Sequence, residues 1–171
     1  MKPIPTPPIC LAVLLLAGIS FANQSPTGIG PLAKAHLGKL DIPRGICAVL
    51  GLPAEDGPGY VVDLAKGSGL TIYHQTNLAA ESTNVRRTAD KAGLLGRRVF
   101  VERGDLKKIH LASNLADGAI VADARLAANP GTRQEVLRVL HPRARAWLAG
   151  ATITKPRPVG ADDWSHPYHG P

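Results

Sequence analysis

Short apolar runs bounded by glycine alternate with charged, amphipathic segments along the middle of the chain. Continuous apolar runs are typical of parallel strands that are covered on both faces, and glycine commonly ends a helix. This pattern predicts strands at 46–50, 70–75, 97–104, 118–123 and 144–150. It predicts helices at 33–40, 59–66, 77–92 and 131–140. Strands and helices that alternate in this order predict an open, mostly parallel α/β sheet with helices on both faces.

The last predicted helix carries its own start and stop signals. Thr132 is followed three residues later by Glu135, which is the spacing of a capping box, and Pro142 cannot continue a helix. Ligands of open parallel sheets bind at the carboxyl ends of the strands, so functional side chains are expected just after each strand. Asp123 follows the fourth strand, where capping a helix is favoured over binding a ligand.

The N-terminal segment has the pattern of a secretory signal. It carries one lysine, Lys2, then an unbroken apolar run over 9–17, then Ser20 and Ala22 at the spacing of a cleavage site. We therefore expect residues 1–22 to be a signal peptide and the protein to be exported, either periplasmic or secreted. A retained anchor is the alternative, but the run is shorter than the roughly 20 residues that span a bilayer. No membrane span is expected after cleavage.

Proline and glycine divide the rest of the chain into three parts. Residues 23–44 are mixed in character and are interpreted as an entry linker. Regular alternation begins at residue 45 and continues to residue 150. Residues 151–171 are interpreted as a tail rich in proline and histidine.

The net charge of +7 does not by itself indicate a nucleic-acid site. The cations are scattered, and aromatic residues, on which bases would stack, make up only 4% of the sequence. Nucleic acid is therefore an unlikely partner, and a solvated basic surface is favoured. A basic surface that binds an acidic polymer stays open as a third, weaker hypothesis.

Cysteine chemistry is also disfavoured. Removal of the signal would leave Cys47 as the only cysteine, so no internal disulfide could form. Cys47 lies inside an apolar run, which favours a buried thiol over a nucleophile. The sequence has no phosphate-binding Walker loop, no serine nucleophile elbow and no paired-cysteine motif.

Three segments of the central part resemble those of class I S-adenosylmethionine-dependent methyltransferases. They read ADKAGLLGRRVFVERGD, LADGAIVAD and QEVLRVLHP. The resemblance covers residues 45–150 and implies a Rossmann-like methyltransferase sheet. The sixth and seventh strands of the usual sheet have no counterpart, so we expect a sheet that is incomplete at its C-terminal end.

The resemblance also implies how the methyl donor would be held. The family places an acidic residue near the end of the first strand and then a Gly-x-Gly-x-Gly loop. Here Val49 stands at the acidic position, Gly51 fits the first glycine, and Pro53 and Glu55 stand at the other two. Proline removes an amide donor, and a glutamate side chain fills space where the backbone should approach the donor.

Two further positions complete the implied donor site. Gln75 stands where an acidic residue would accept hydrogen bonds from the ribose, and an amide lacks the charge that strengthens such bonds. Asp105, after Gly104, matches the Gly-Asp beside the adenine, although an ordinary turn explains this pair equally well. We expect any S-adenosylmethionine to be held through Gly51, Gln75 and Asp105, with binding weakened or lost.

Two functions of different classes follow. The first is methyl transfer from S-adenosylmethionine to an unidentified acceptor, which needs no nucleophile of the enzyme, so no catalytic residue is assigned. The second is a non-catalytic, exported binding or scaffold module. Trp164 and the residues HPYHGP that follow soon after it resemble the entry segment of secreted bacterial β-propeller proteins of the pyrroloquinoline-quinone type, which makes a propeller region a candidate partner. His166 and His169 are too few for a metal site, so no metal is expected.

Overall fold

The computed structural model describes residues 28–158 and residue 160. The predicted signal peptide and the segment from Trp164 to His169 lie outside the described residues. Among the described residues, no helix is both long and apolar enough to cross a membrane.

Six strands form a single sheet. Their order across it is β3-β2-β1-β4-β5-β6; the first five strands in the chain are parallel, and β6 pairs with β5 in the antiparallel sense. The mostly parallel α/β fold class predicted from the sequence is confirmed. The strands are β1 (Arg44–Leu50), β2 (Gly69–Thr76), β3 (Val99–Arg103), β4 (Ala116–Val121), β5 (Leu140–Leu148) and β6 (Ala151–Thr154).

Helices cover both faces of the sheet, as predicted. Alternate residues of β1 show this: Cys47 and Val49 pack with the first three helices, whereas Ala48 and Leu50 pack with the last two. The helices are α1 (Pro31–Leu40), α2 (Gly59–Lys66), α3 (Ala79–Lys91), α4 (Ala124–Ala128) and α5 (Pro130–Val139). Burial raises the pKa of the Cys47 thiol to about 12, with the charge of Asp117 adding to the shift, so the thiol stays protonated and unreactive.

The predicted capping box of α5 is wrong. The helix starts earlier, and the side chain of Asn129 caps it by accepting a hydrogen bond of 2.8 Å from the Gly131 amide. Pro130 takes the first helical position, where its missing N–H costs nothing. Thr132 is buried within the first turn, and Glu135 binds elsewhere. Asp123, in contrast, caps α4 as predicted, because its Oδ1 accepts from the Arg125 and Leu126 amides.

The two flanking segments contribute elements to the fold. The segment interpreted as a linker contains α1, in which Ala33, His36 and Leu40 are buried. The segment interpreted as a tail begins with β6, which returns along β5 through a turn at Ala149 and Gly150, both with positive φ. The predicted last strand, 144–150, starts earlier, at the end of α5.

Lys155 fixes the β5–β6 hairpin to the rest of the sheet. Its Nζ donates to Asn114 Oδ1 at 2.6 Å and to the Leu140 carbonyl at 2.7 Å. It also donates to the Arg138 carbonyl at 3.3 Å, which closes the C-terminal end of α5. One cation therefore links Asn114 with two carbonyls at the junction of α5 and β5.

We predict that Lys155→Met lowers the free energy of unfolding by about 1–2 kcal/mol, because charge-assisted hydrogen bonds to backbone carbonyls are lost. Urea denaturation of the two chains measures the difference. Lys34→Met, at an exposed position of α1, is the matched control and should leave stability nearly unchanged. Equal stability of the Lys155 and Lys34 variants would show that β6 is not fixed by this side chain.

Candidate functional site

The carboxyl ends of β1, β2 and β4 meet at one edge of the sheet. The strand order reverses between β1 and β4, and such a switch point is where open α/β sheets bind ligands. A cavity of about 240 Å³ lies at this edge, and a second one of about 380 Å³ shares Asn77 and Asp105 with it. The first is lined by Asn77, Asp105, Leu106, Lys107, Leu126, Asn129, Gly131 and Thr132.

Gly51 is required by the backbone at the end of β1. Its φ is +68°, a conformation that side chains rarely adopt, and a Cβ there would lie 3.2 Å from Asp123 Cβ. A glycine is therefore needed at this position whether or not a ligand binds.

The loop after Gly51 departs from a glycine-rich loop in structure as well as in sequence. Pro53 is buried and Glu55 is exposed. Helix α2 begins after Pro58, which has no amide proton, and no side chain caps it. Val49, at the acidic position implied by the resemblance, is fully buried between β2 and β4.

Gln75 is fully buried at the end of β2, and its amide is committed to protein groups. Its Nε2 donates to the Asp105 carbonyl at 2.9 Å and to the Lys108 carbonyl at 2.8 Å. Its Oε1 accepts from the His110 amide at 2.8 Å and from the Tyr73 hydroxyl at 3.3 Å. Both donors and both acceptor positions of the side chain are thus used. Gln75 holds the loop of residues 105–110 against the end of β2.

Asp105 makes the ordinary turn contact, and its role beside an adenine stays a prediction. Its Oδ1 accepts from the Lys107 amide at 2.9 Å, which is an ordinary turn contact, and the Gly104 amide donates to the Thr76 carbonyl. The residue is also exposed and lines both cavities. A ligand in either cavity would meet this carboxylate.

Glu135 and Arg138 of α5 hold the same loop from the other side. Glu135 Oε2 accepts from the Ile109 amide at 3.0 Å, and Arg138 donates to the Ile109 and Leu111 carbonyls. The hydrogen bond from Arg138 lowers the pKa of Glu135, so the pair is ionised at neutral pH. The loop that forms one wall of the site is therefore fixed at both ends.

The sequence analysis missed a histidine–carboxylate pair between β2 and α3. Glu81 of α3 lies 3.1 Å from Nε2 of His74, which is fully buried, and the negative charge of Asp123 acts on Glu81. Burial opposes ionisation of Glu81, but hydrogen bonds from His74 and Thr76 outweigh it and lower the pKa. His74 Nδ1 has no partner among the described residues. The sequence did not predict this pair, because His74 is a single histidine within an apolar strand.

Comparison with known proteins supports the fold. The sequence matches no protein-family model and no curated protein. Its structure is similar to a putative S-adenosyl-L-methionine-dependent methyltransferase from Methanococcus maripaludis, with 21% identity and a TM-score of 0.58. It is also similar to a SAM-dependent methyltransferase from Aquifex aeolicus, with 22% identity and a TM-score of 0.55. A third structure, geranyl diphosphate C-methyltransferase from Streptomyces coelicolor in complex with S-adenosyl-L-homocysteine, shows 15% identity and a TM-score of 0.56.

These similarities cover only part of each protein. In every case 67% of this chain is matched, against 52%, 61% and 43% of the three other chains. The methyltransferase-like fold implied by the resemblance is confirmed. The propeller resemblance and the donor-site residues stay predictions.

The described residues do not fit S-adenosylmethionine in the manner that the resemblance implies. Val49 and Gln75 replace two carboxylates, and the Gln75 amide has no hydrogen-bonding position left for ribose hydroxyls. Of the side chains that the resemblance assigns to the donor site, that of Asp105 lines the cavities.

We predict that Gln75→Leu lowers the free energy of unfolding by about 2–4 kcal/mol, since up to four hydrogen bonds worth about 1 kcal/mol each are lost. Hydrogen exchange should locate the effect in the loop of residues 105–110. Gln134→Leu, at an exposed position of α5, is the matched control and should change stability little. A Gln75→Leu chain with wild-type stability would show that the amide does not hold the loop.

Proposed function

We propose that this chain is a methyltransferase-like domain in which binding of S-adenosylmethionine is weakened or lost. The observation that carries the proposal is the saturated amide of Gln75. For Gln75 to bind a ribose, it would have to release the Asp105 or Lys108 carbonyl or the His110 amide. Each buried group that is released and left without a partner costs about 1–3 kcal/mol. Ribose binding at Gln75 would therefore work against the fold.

The charges at this edge support the same conclusion. A carboxylate at the end of β2 would accept charge-assisted hydrogen bonds, which are about twice as strong as neutral ones. Gln75 is neutral, and the apolar Val49 is enclosed by the sheet. Hydrogen bonds lower the pKa of Glu81, and its hydrogen bonds go to His74 and Thr76.

The cavities at this edge measure about 240, 380 and 300 Å³, against about 300–1,000 Å³ for ligands of drug size, so volume alone does not exclude a nucleoside and the loss of polar contacts carries the proposal. Because methyl transfer depends on holding donor and acceptor in line, a domain without a donor site has no such activity.

The role left to such a domain is that of a non-catalytic binding or scaffold module. Export, as the N-terminal sequence pattern predicts, would separate the domain from a donor made inside the cell. A β-propeller region is the candidate partner that the C-terminal sequence suggests. If donor binding is instead retained, Asp105 is the residue on which it should depend.

Calorimetric titration of S-adenosylhomocysteine into the purified chain tests the proposal. We expect no heat of binding up to millimolar ligand, from a sample whose circular dichroism and cooperative melting show that it is folded. Asp105→Ala, which removes the remaining acidic contact, should give the same result.

Micromolar binding that Asp105→Ala abolishes would contradict the proposal and identify a working donor site. Asp90→Ala, an exposed carboxylate of α3, is the matched control for the loss of charge. It should leave any binding by the wild-type chain unchanged.

A further inference from the structure

Helix α1 packs on the sheet through a small polar cluster rather than through apolar side chains alone. His36 projects from its buried face and is only 5% exposed. Its Nδ1 lies 2.6 Å from the Tyr60 hydroxyl of α2. Its ring lies over Trp147 of β5, with centroids 3.9 Å apart and an angle of 32° between the planes. One imidazole thus joins α1 to both a helix and a strand.

The hydrogen bond to Tyr60 favours a neutral imidazole. Burial raises the pKa of Tyr60, so its hydroxyl keeps its proton and can donate to an unprotonated Nδ1. A protonated ring would make Nδ1 a donor, and the Tyr60 proton would then need another acceptor. An imidazolium in this enclosed position would also lose its hydration.

Asp56, in the loop after β1, is the charged group that opposes this preference. Its Oδ2 is buried and has no hydrogen-bond partner among the described residues. Its charge acts on both His36 and Tyr60. The carboxylate is close enough to favour a cation at His36 but is not hydrogen-bonded to it. Asp56 therefore offsets only part of the cost of burying a protonated His36 ring.

The lysines of α1 itself, Lys34 and Lys39, are exposed, and the other charged groups that neighbouring elements bring to α1 lie at its two ends. Asp63 of α2 accepts a hydrogen bond of 2.9 Å from the Gly30 amide. Asp41, after the helix, pairs with Arg145 of β5 at 3.5 Å. From β4, Gly118 faces the end of α1, where a side chain would meet Ile42 and Leu40. His36 is therefore the titratable group at the centre of the α1 interface.

We propose that α1 is a pH-sensitive strap: it is docked while His36 is neutral, and protonation of His36 releases it from Tyr60 and Trp147. Release would uncover Tyr60 and the loop that carries Asp56, which lie beside the carboxyl end of β1. The proposal does not depend on whether the domain binds a methyl donor.

The direction of the pH effect follows from the titration of His36. Burial lowers the pKa of His36 below 6.5, and Asp56 offsets only part of that shift. The docked state therefore disfavours the protonated ring. Docking is fully stable above pH 6.5 and is weakened as the pH falls from there through the docked pKa. For each unit by which the pKa of His36 is lower in the docked state than in the undocked state, the equilibrium constant for docking falls tenfold at low pH.

Hydrogen exchange of the full chain at pH 7.5 and pH 5 tests the strap. After correction for the intrinsic pH dependence of exchange, the amides of residues 31–40 should lose protection at pH 5, roughly tenfold for each unit of pKa difference. The amides of β1 should keep theirs. His36→Gln should abolish the difference between the two pH values. His110→Gln, which alters an exposed histidine, should retain it.

Protection of α1 that is equal or greater at pH 5 in the wild-type chain would overturn the proposal, because it would mean that Asp56 stabilises the protonated ring in place. Loss of protection in His36→Gln as large as in the wild type would also overturn it, since another group would then be responsible. The wild-type comparison decides the question even if the His36 variant folds poorly.

Discussion

The hydrogen bonds of one buried amide set the shape of the candidate site. Gln75 ends β2 and binds two carbonyls and one amide of the loop that follows β3. Glu135 and Arg138 hold the same loop from α5. The loop forms a wall of the cavity that Asp105 lines, so the Gln75 amide supports this wall. A structural use of this position and a ligand-binding use exclude each other, because the amide has four hydrogen-bonding positions and all are taken.

Other polar contacts join helices to the sheet. Glu81 of α3 pairs with His74 of β2, and His36 joins α1 to α2 and β5. His74 and His36 are buried and each has one hydrogen-bond partner, although Nδ1 of His74 has none among the described residues. Asp105 differs from them, because it is exposed and lines the cavities.

Local pattern predicted much of the fold and little of the site's contacts. Apolar runs and the glycines that end them were sufficient to predict β1 and the bounds of α2. These two elements depend mainly on residues that are neighbours in the chain. The strand β6 was missed, because a run of only four residues becomes a strand through its pairing with β5, which the local pattern does not show. The replacement at Gln75 was visible in the sequence, but its three partners in the loop lie at least 30 residues away and only folding brings them together.

The central claim is that Gln75 serves the loop and not a nucleotide. The most direct test is to follow its side-chain amide protons by nuclear magnetic resonance, assigned with the Gln75→Leu spectrum, while S-adenosylhomocysteine is added to millimolar concentration. We predict that the two protons exchange slowly with water and keep their chemical shifts throughout. Shifts that saturate with ligand, together with faster exchange of these protons, would show that the amide leaves the loop to bind the nucleoside and would contradict the account.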